Sequence, residues 1–151
     1  MTNATRPDKK ALLQWAHNYV KHWNAGDLDA WVTNWKTVST GEHRMLDPVG
    51  TPEKVGFQEC CLDAWALFQP RVRFNIPEGQ LFVCDNEVAW LLENHFDGPD
   101  GPQVQCSIET YRFEDDGSVN VRTYYRVPSH DNAAIGDIFQ TYLPGNEGGL
   151  V

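Results

Sequence analysis

Three side chains have the type and the neighbours to move a proton. Asp47 sits in Met45-Leu46-Asp47-Pro48-Val49-Gly50, a carboxylate among apolar residues, with its backbone biased to an extended form by the proline that follows. A carboxylate in apolar surroundings has a raised pKa and can act as a base. Asp-Pro also starts ordinary turns, so the motif alone admits both readings. Tyr19 falls on the apolar face of a helical pattern, where a phenol either packs or donates a hydrogen bond to a ligand oxygen. Glu109 lies within Cys106-Ser107-Ile108-Glu109-Thr110-Tyr111-Arg112-Phe113. Alternation sorts Ser107, Glu109, Tyr111 and Phe113 onto one face and Cys106, Ile108, Thr110 and Arg112 onto the other. A glutamate in that aromatic company can point into a concave sheet, although mid-strand glutamates are more often solvated.

The elements that would position these groups follow from periodicity. Asp8 can cap a helix whose apolar residues Leu12, Ala16, Tyr19, Val20 and Trp23 share one face. Asn24-Ala25-Gly26 ends it, and Asp27 starts a second helix carrying Leu28, Trp31 and Trp35. A loop with Gly41, Pro48, Gly50 and Pro52 follows. A third helix is expected from Phe57 to Phe68, with Phe57, Cys61, Ala64, Trp65 and Phe68 inward, stopped by Pro70. From there the period is two. Strands are expected at Val72–Ile76, Gln80–Cys84, Glu87–Asp97, Gln103–Phe113 and Val119–Val127, with turns at Gly98–Pro102 and Asp115–Gly117. Helices followed by a curved, mostly antiparallel sheet make an α+β domain, residues 1–128. Residues 129–151 form a glycine-rich tail with one apolar cluster, Ile135, Ile138, Phe139 and Tyr142. It is expected to dock on the domain or on a partner.

Composition narrows the function. The 151 residues suit one core. A net charge of −9 repels phosphate backbones and offers no handle for anionic lipid, so neither nucleic acid nor membrane is an expected partner. No apolar run approaches the roughly 20 residues that span a bilayer, and the polar start lacks a signal-peptide pattern, so a cytoplasmic location is the expectation. Cys60, Cys61, Cys84 and Cys106 contain no Cys-x-x-Cys pair and are not spaced with the histidines as zinc ligands. They are expected as reduced thiols, with no metal and no cofactor. Aromatic residues reach 12%, enough to wall a site for a flat apolar molecule as well as a core.

Read in order, Tyr19-Val20-Lys21-His22-Trp23-Asn24-Ala25-Gly26-Asp27-Leu28-Asp29, then Asp47-Pro48-Val49-Gly50, then Ile108-Glu109-Thr110-Tyr111-Arg112-Phe113 resembles the bacterial steroid Δ5-isomerases, or ketosteroid isomerases, from about Tyr19 to Tyr125. The resemblance implies the cone-shaped nuclear transport factor 2-like (NTF2-like), SnoaL-like fold. It implies a cofactor-free isomerase acting on a steroid-like or other polycyclic or terpenoid ketone. In that family Asp47 falls on the general base, Tyr19 on the oxyanion-hole tyrosine, and Glu109 on a protonated aspartic acid. The chemistry fits these residue types: donors aimed at a carbonyl oxygen stabilise the charge formed when a carboxylate removes a neighbouring proton.

The sequence departs from the family in five places. Glu109 is one methylene longer than the expected acid. Asn94 shares a strand face with Trp90, Leu92 and Phe96 and adds a polar group. Ala64 or Trp65 falls near a second tyrosine that supports the first in some isomerases, so Tyr19 is expected without that partner. About four extra residues precede Asp47, around Ser39 to His43. Arg122 either faces Glu109 and keeps it ionised or, as alternation on Val119, Val121, Thr123 and Tyr125 suggests, points away.

The pocket walls are therefore expected to be Trp90, Leu92, Asn94, Phe96, Tyr111, Phe113 and Trp65. Ala89, Leu91, Cys106 and Ile108 on the other sheet face, with Glu93 and His95, are expected to form a homodimer interface. Dehydratase, polyketide cyclase and epoxide hydrolase chemistry are alternatives on the same fold. For the dehydratase, His22, His43 or His95 would be the partner of a tyrosine; His17 is expected at the surface. A non-catalytic small-molecule-binding or dimeric adaptor domain is the alternative from another class.

Overall fold

The structure is a computed structural model and describes residues 6–126. The Asp8 carboxylate accepts from the Ala11 N–H at 2.8 Å and starts α1 (Lys9–Ala25). Leu12, Trp15, Ala16, Tyr19 and Trp23 are its buried face. The helix stops at Gly26, whose φ of 68° side chains rarely adopt. Asp27 caps α2 (Leu28–Lys36) through the Ala30 N–H. Trp31 and Trp35 are buried, whereas Leu28, expected beside them, is exposed at the first position of the helix.

Asn24 explains why the chain turns where it does. Its amide donates to the Phe74 carbonyl and accepts from the Phe74 N–H, both at 2.8 Å, and so clamps the end of α1 to a sheet strand. The third helix opens with a π-helical turn, Gln58–Leu62, and continues as α3 (Asp63–Phe68). It buries Cys60, Cys61 and Phe68, while Phe57, Ala64 and Trp65 are half-buried.

The segment expected to be one loop contains two short strands, β1 (His43–Leu46) and β2 (Lys54–Val55). Their partners are too distant, or the strands too short, for a local pattern. β1 runs parallel to the last strand, with Met45 opposite Val121. The remaining strands are β3 (Arg73–Asn75), β4 (Leu81–Cys84), β5 (Glu87–Gly98), β6 (Gly101–Phe113) and β7 (Val119–Tyr125). The expected five-residue turn at Gly98–Pro102 shrinks to Pro99-Asp100, because pairing continues out to Gly98 and Gly101. Val127 and the cluster Ile135, Ile138, Phe139 and Tyr142 lie outside the described residues.

The sheet order is β2-β1-β7-β6-β5-β3, with β4 also on β5; every pairing except β1 with β7 is antiparallel. The three helices cover one face of this sheet, and the core between them holds Trp15, Trp23, Trp31, Trp35, Trp90 and Tyr111. This is the α+β architecture the periodicity predicts. No helix among the described residues is long and apolar enough to cross a membrane.

Candidate functional site

Asp47 follows β1 and is buried. β7 positions it from one side. The Tyr125 hydroxyl donates to Asp47 Oδ1 at 2.9 Å, Thr123 adds a second side-chain hydrogen bond, and the Val49 N–H donates to the Thr123 carbonyl at 2.9 Å. From the other side the Lys54 ammonium donates to the Asp47 carbonyl oxygen at 3.1 Å. Burial pushes the Asp47 pKa up; Lys54, Tyr125 and Thr123 oppose that shift without cancelling it. The result is a carboxylate more basic than an exposed one.

Glu109 is on β6, opposite Thr123 of β7 and Trp90 of β5. Burial raises its pKa to about 7, and the charge on Asp47 adds to the rise. Hydrogen bonds from Tyr111 and Ser107 act the other way. The Tyr111 hydroxyl donates to the Glu109 carboxyl and is also hydrogen-bonded to Tyr19. Burial holds both phenols well above their ordinary pKa, so both stay neutral donors. Tyr19, Tyr111 and Glu109 thus form one chain of hydrogen bonds. Arg122 takes no part: it is opposite Thr110, exposed, on the far face of the sheet.

Tyr19, Asp47 and Glu109 border one cavity of about 50 Å³. Its other walls include Trp31 and Trp35 from α2, Met45 from β1, Cys61 from the π-helical turn, and Phe74 and Asn94 from the sheet. Apolar rings thus surround one carboxylate whose pKa burial raises and one carboxyl whose pKa burial raises to about 7. Among the described residues, no group of three or more His, Cys, Asp or Glu could hold a metal ion.

No protein-family model and no curated protein matches this sequence. Solved structures do. The epoxide hydrolase/cyclase-like enzyme SalBIII, of pyran ring formation in polyether salinomycin, superposes with a TM-score of 0.62 at 18% identity, over 79% of this chain and 93% of that one. A SnoaL-like protein from Jannaschia sp. CCS1, named for polyketide cyclase activity, gives 0.61 at 15% identity, over 80% and 89%. RV0760c from Mycobacterium tuberculosis, in complex with estradiol-17beta-hemisuccinate, gives 0.54 at 17% identity, over 78% and 95%. The fold is the NTF2-like cone.

Within this cone the expected pocket walls divide. Asn94 borders the cavity, though its amide nitrogen is engaged by the Gln105 carbonyl and the Ser107 hydroxyl at 2.8 and 3.1 Å. Tyr111 lies behind the wall and reaches the site only through Tyr19 and Glu109. Trp90, Leu92 and Phe113 share the predicted sheet face but are packed into the core, not on the cavity. Trp15 from α1 stacks on Trp90 at 5.3 Å and meets Phe113 edge-on at 5.3 Å, which closes that end of the cone. Phe96 borders a separate surface groove with Pro70 and Arg71. Trp65 packs on Trp23 and Trp31, each at 5.1 Å, and leaves Ala64 and Phe68 to represent α3 in the cavity wall.

Tyr19 does have a tyrosine partner. It comes from β6 as Tyr111, not from the third helix where it was sought. Met45, Thr123 and Tyr125 border the cavity and Lys54 bonds the Asp47 carbonyl, beyond the residues expected at the site. Alternation already marked Thr123 and Tyr125 as sharing a face with Val119 and Val121, so that signal was available. Lys54 carried no such signal, because a lysine in a polar loop reads as solvated.

Of the histidines, His43 is buried between Trp35 and Phe57, with Ser39 Oγ 3.4 Å from its Nε2, and burial lowers its pKa to about 4. It does not border the cavity. His95 is exposed beside Glu93 on the far sheet face. His22 is half-buried in the last turn of α1, and His17 is exposed.

Proposed function

We propose that this protein is a cofactor-free enzyme that moves a proton on an apolar cyclic ketone through an enolate, with Δ5-3-ketosteroid isomerisation as the specific form. The observation that carries the reading is the convergence of Asp47, Tyr19 and Glu109 on one aromatic-walled cavity. Asp47 takes the proton from the carbon between the ketone and the double bond. The electron pair moves to the carbonyl oxygen, where Tyr19 and neutral Glu109 donate hydrogen bonds to the developing charge. Asp47 returns the proton to the far end of the former double bond, which completes a conjugated enone with no net loss of atoms or electrons. Tyr111, which donates to the other oxygen of Glu109, orients the longer side chain.

RV0760c, a protein of the same fold, has been solved with estradiol-17beta-hemisuccinate, which supports a steroid-like ligand. The free volume of about 50 Å³ is well below the roughly 300–1,000 Å³ of ordinary ligand sites. Entry of a polycyclic ligand therefore requires side chains such as Phe68 and Trp31 to move.

A second reading is favoured by the likeness to the epoxide hydrolase/cyclase-like SalBIII. In it, Asp47 would deprotonate an attacking hydroxyl while neutral Glu109 gives its proton to the epoxide oxygen and Tyr19 hydrogen-bonds that oxygen; exchange with water then moves the proton from Asp47 back to Glu109. A histidine-dependent dehydratase is disfavoured, because neither His43 nor His95 borders the cavity.

The test is absorbance of the conjugated enone formed from a Δ5-3-ketosteroid, with hydrogen exchange next to the ketone as the substrate-tolerant version. Asp47→Asn is expected to lower the rate about 10²–10⁴-fold while ligand affinity is retained. A native protein that gives neither signal with any cyclic ketone, yet opens an epoxide, would replace the first reading with the second.

A further inference from the structure

Lys54 is buried to 3% exposure, yet lysine is almost never enclosed without a task or a partner. It lies on β2, opposite Met45 of β1, and its ammonium reaches across the turn to the Asp47 carbonyl oxygen at 3.1 Å. That turn is closed by its own bonds: the Thr51 hydroxyl and N–H donate to the Pro48 carbonyl at 2.7 and 3.2 Å. The lysine therefore crosses a loop that already has a fixed shape. The hydrogen bond to the carbonyl could be made by a neutral donor. A full positive charge, taken out of water, requires a further reason.

We propose that Lys54 is a positioning residue for the base, holding the Asp47 peptide in place and keeping a positive charge behind its carboxylate so that Asp47 meets the substrate ionised. The proposal rests on Asp47 being the base, as argued above. The charge has work to do there because the other groups facing Asp47 leave it without a counter-ion. Tyr125 and Thr123 on β7 donate neutral hydrogen bonds. Glu109 on β6 and Tyr19 on α1 face it across the cavity, and the first is a second acid. Cys60 and Cys61 of the π-helical turn are thiols that burial keeps protonated. His43 on β1 is held neutral by burial. The negative charges of Asp47 and Glu59 in turn favour the charged form of Lys54 against burial.

Burial pushes Asp47 toward the protonated form, in which it cannot accept a proton, and Lys54 is the largest influence in the other direction. Loss of the charge with retention of the donor should therefore raise the pH at which Asp47 ionises. In Lys54→Gln the acid limb of kcat/KM is expected to move up by about one pH unit or more, the size typical of an opposite charge close to a carboxyl. The plateau rate above that limb should change much less. Lys54→Arg keeps the charge, so its limb should stay near the native position while the plateau falls, because the planar head displaces the Asp47 peptide.

Asp47 can also be followed without substrate. Carboxyl carbon NMR of aspartate-labelled protein, with the Asp47 signal assigned by its loss in Asp47→Asn, should show the same upward move in Lys54→Gln. An unchanged Asp47 titration in folded Lys54→Gln overturns the proposal. If that variant does not fold, Lys54→Met, which fills the same space without a charge, gives the same readout. If native protein is inactive on all ketones while the Asp47 titration moves, the functional reading fails and the electrostatic role of Lys54 stands.

Discussion

Asp47 and Glu109 are both enclosed carboxyls whose pKa burial raises, and their neighbours differ in charge. Asp47 has a lysine and two hydroxyl donors, which favour the charged form against burial. Glu109 has Asp47 as a like charge, and burial raises its pKa to about 7. Glu109 must be protonated to donate, so kcat/KM is expected to fall as the pH rises through about 7. In Glu109→Gln the amide still donates but does not ionise, and that fall should disappear from the pH–rate profile. Stability follows the same group. Its folded pKa lies above the ordinary 4.5, so the folded protein binds the extra proton, and stability is lost as the pH rises from about 4.5 through 7. Urea titrations across that window should show the slope in native protein and a weaker one in Glu109→Gln. Tyr19→Phe, which removes a hydroxyl from the chain to Tyr111 and Glu109, is expected to slow the reaction while leaving apolar ligand affinity nearly intact.

At the scale of elements, the site depends on one joint between helix and sheet. Asn24 carries both bonds that hold the end of α1 to β3, and Gln69 adds a bond from its amide to the Trp23 carbonyl at 3.1 Å. Tyr19 lies just over one helical turn before that joint, stacked over Phe74 of the same strand at 6.1 Å. Asn24→Ala leaves the Phe74 N–H and carbonyl without this partner. The expected loss is about 1–3 kcal/mol of stability, read from chemical denaturation. Because the joint also sets where Tyr19 sits, activity at a temperature where the variant is still folded should fall as well. A change to alanine at exposed Lys21 on the same helix should do neither.

For the molecule as a whole, the far face of the sheet is the feature that calls for a partner. Leu91, Ile108 and Tyr124 stand directly opposite one another across β5, β6 and β7, and Phe82 stands opposite Ala89 on the same face. Ile108 and Tyr124 are each 43% exposed and Phe82 is 55% exposed. An apolar row of this length on an otherwise acidic surface is expected to cover itself with a second copy of the chain. Glu93, His95, Arg112 and Arg122 surround the row and would fix its orientation. Sedimentation at micromolar concentration should show a dimer for native protein and a monomer for Ile108→Glu. A native protein that sediments only as a monomer would remove this expectation and leave the cavity chemistry untouched, since no cavity residue lies on that face.

The sequence alone determined the helices, the strands β3 to β7 and the order of the candidate groups. Asp8, Asn24-Ala25-Gly26 and Asp27 are local signals, and each acts within a few residues of itself, so the helix ends were legible. Alternation is equally local, so the faces of β5, β6 and β7 were legible too; the direction of Arg122 was decided by its pairing with Thr110, because a bulge would have reversed it. Tertiary structure decided which of the inward residues reach the cavity. Trp90 and Phe113 point the same way as Glu109, but Trp15 arrives from α1 and packs over them, and periodicity cannot report how deep a neighbour from another element will sit. The parallel pairing of β1 with β7 was equally out of reach, because it joins segments more than seventy residues apart. That pairing places Tyr125 and Thr123 against Asp47, and the short return through β2 brings Lys54 behind it. The carboxylate itself was visible in the chain; the groups that set its charge were brought to it only by the closing of the sheet.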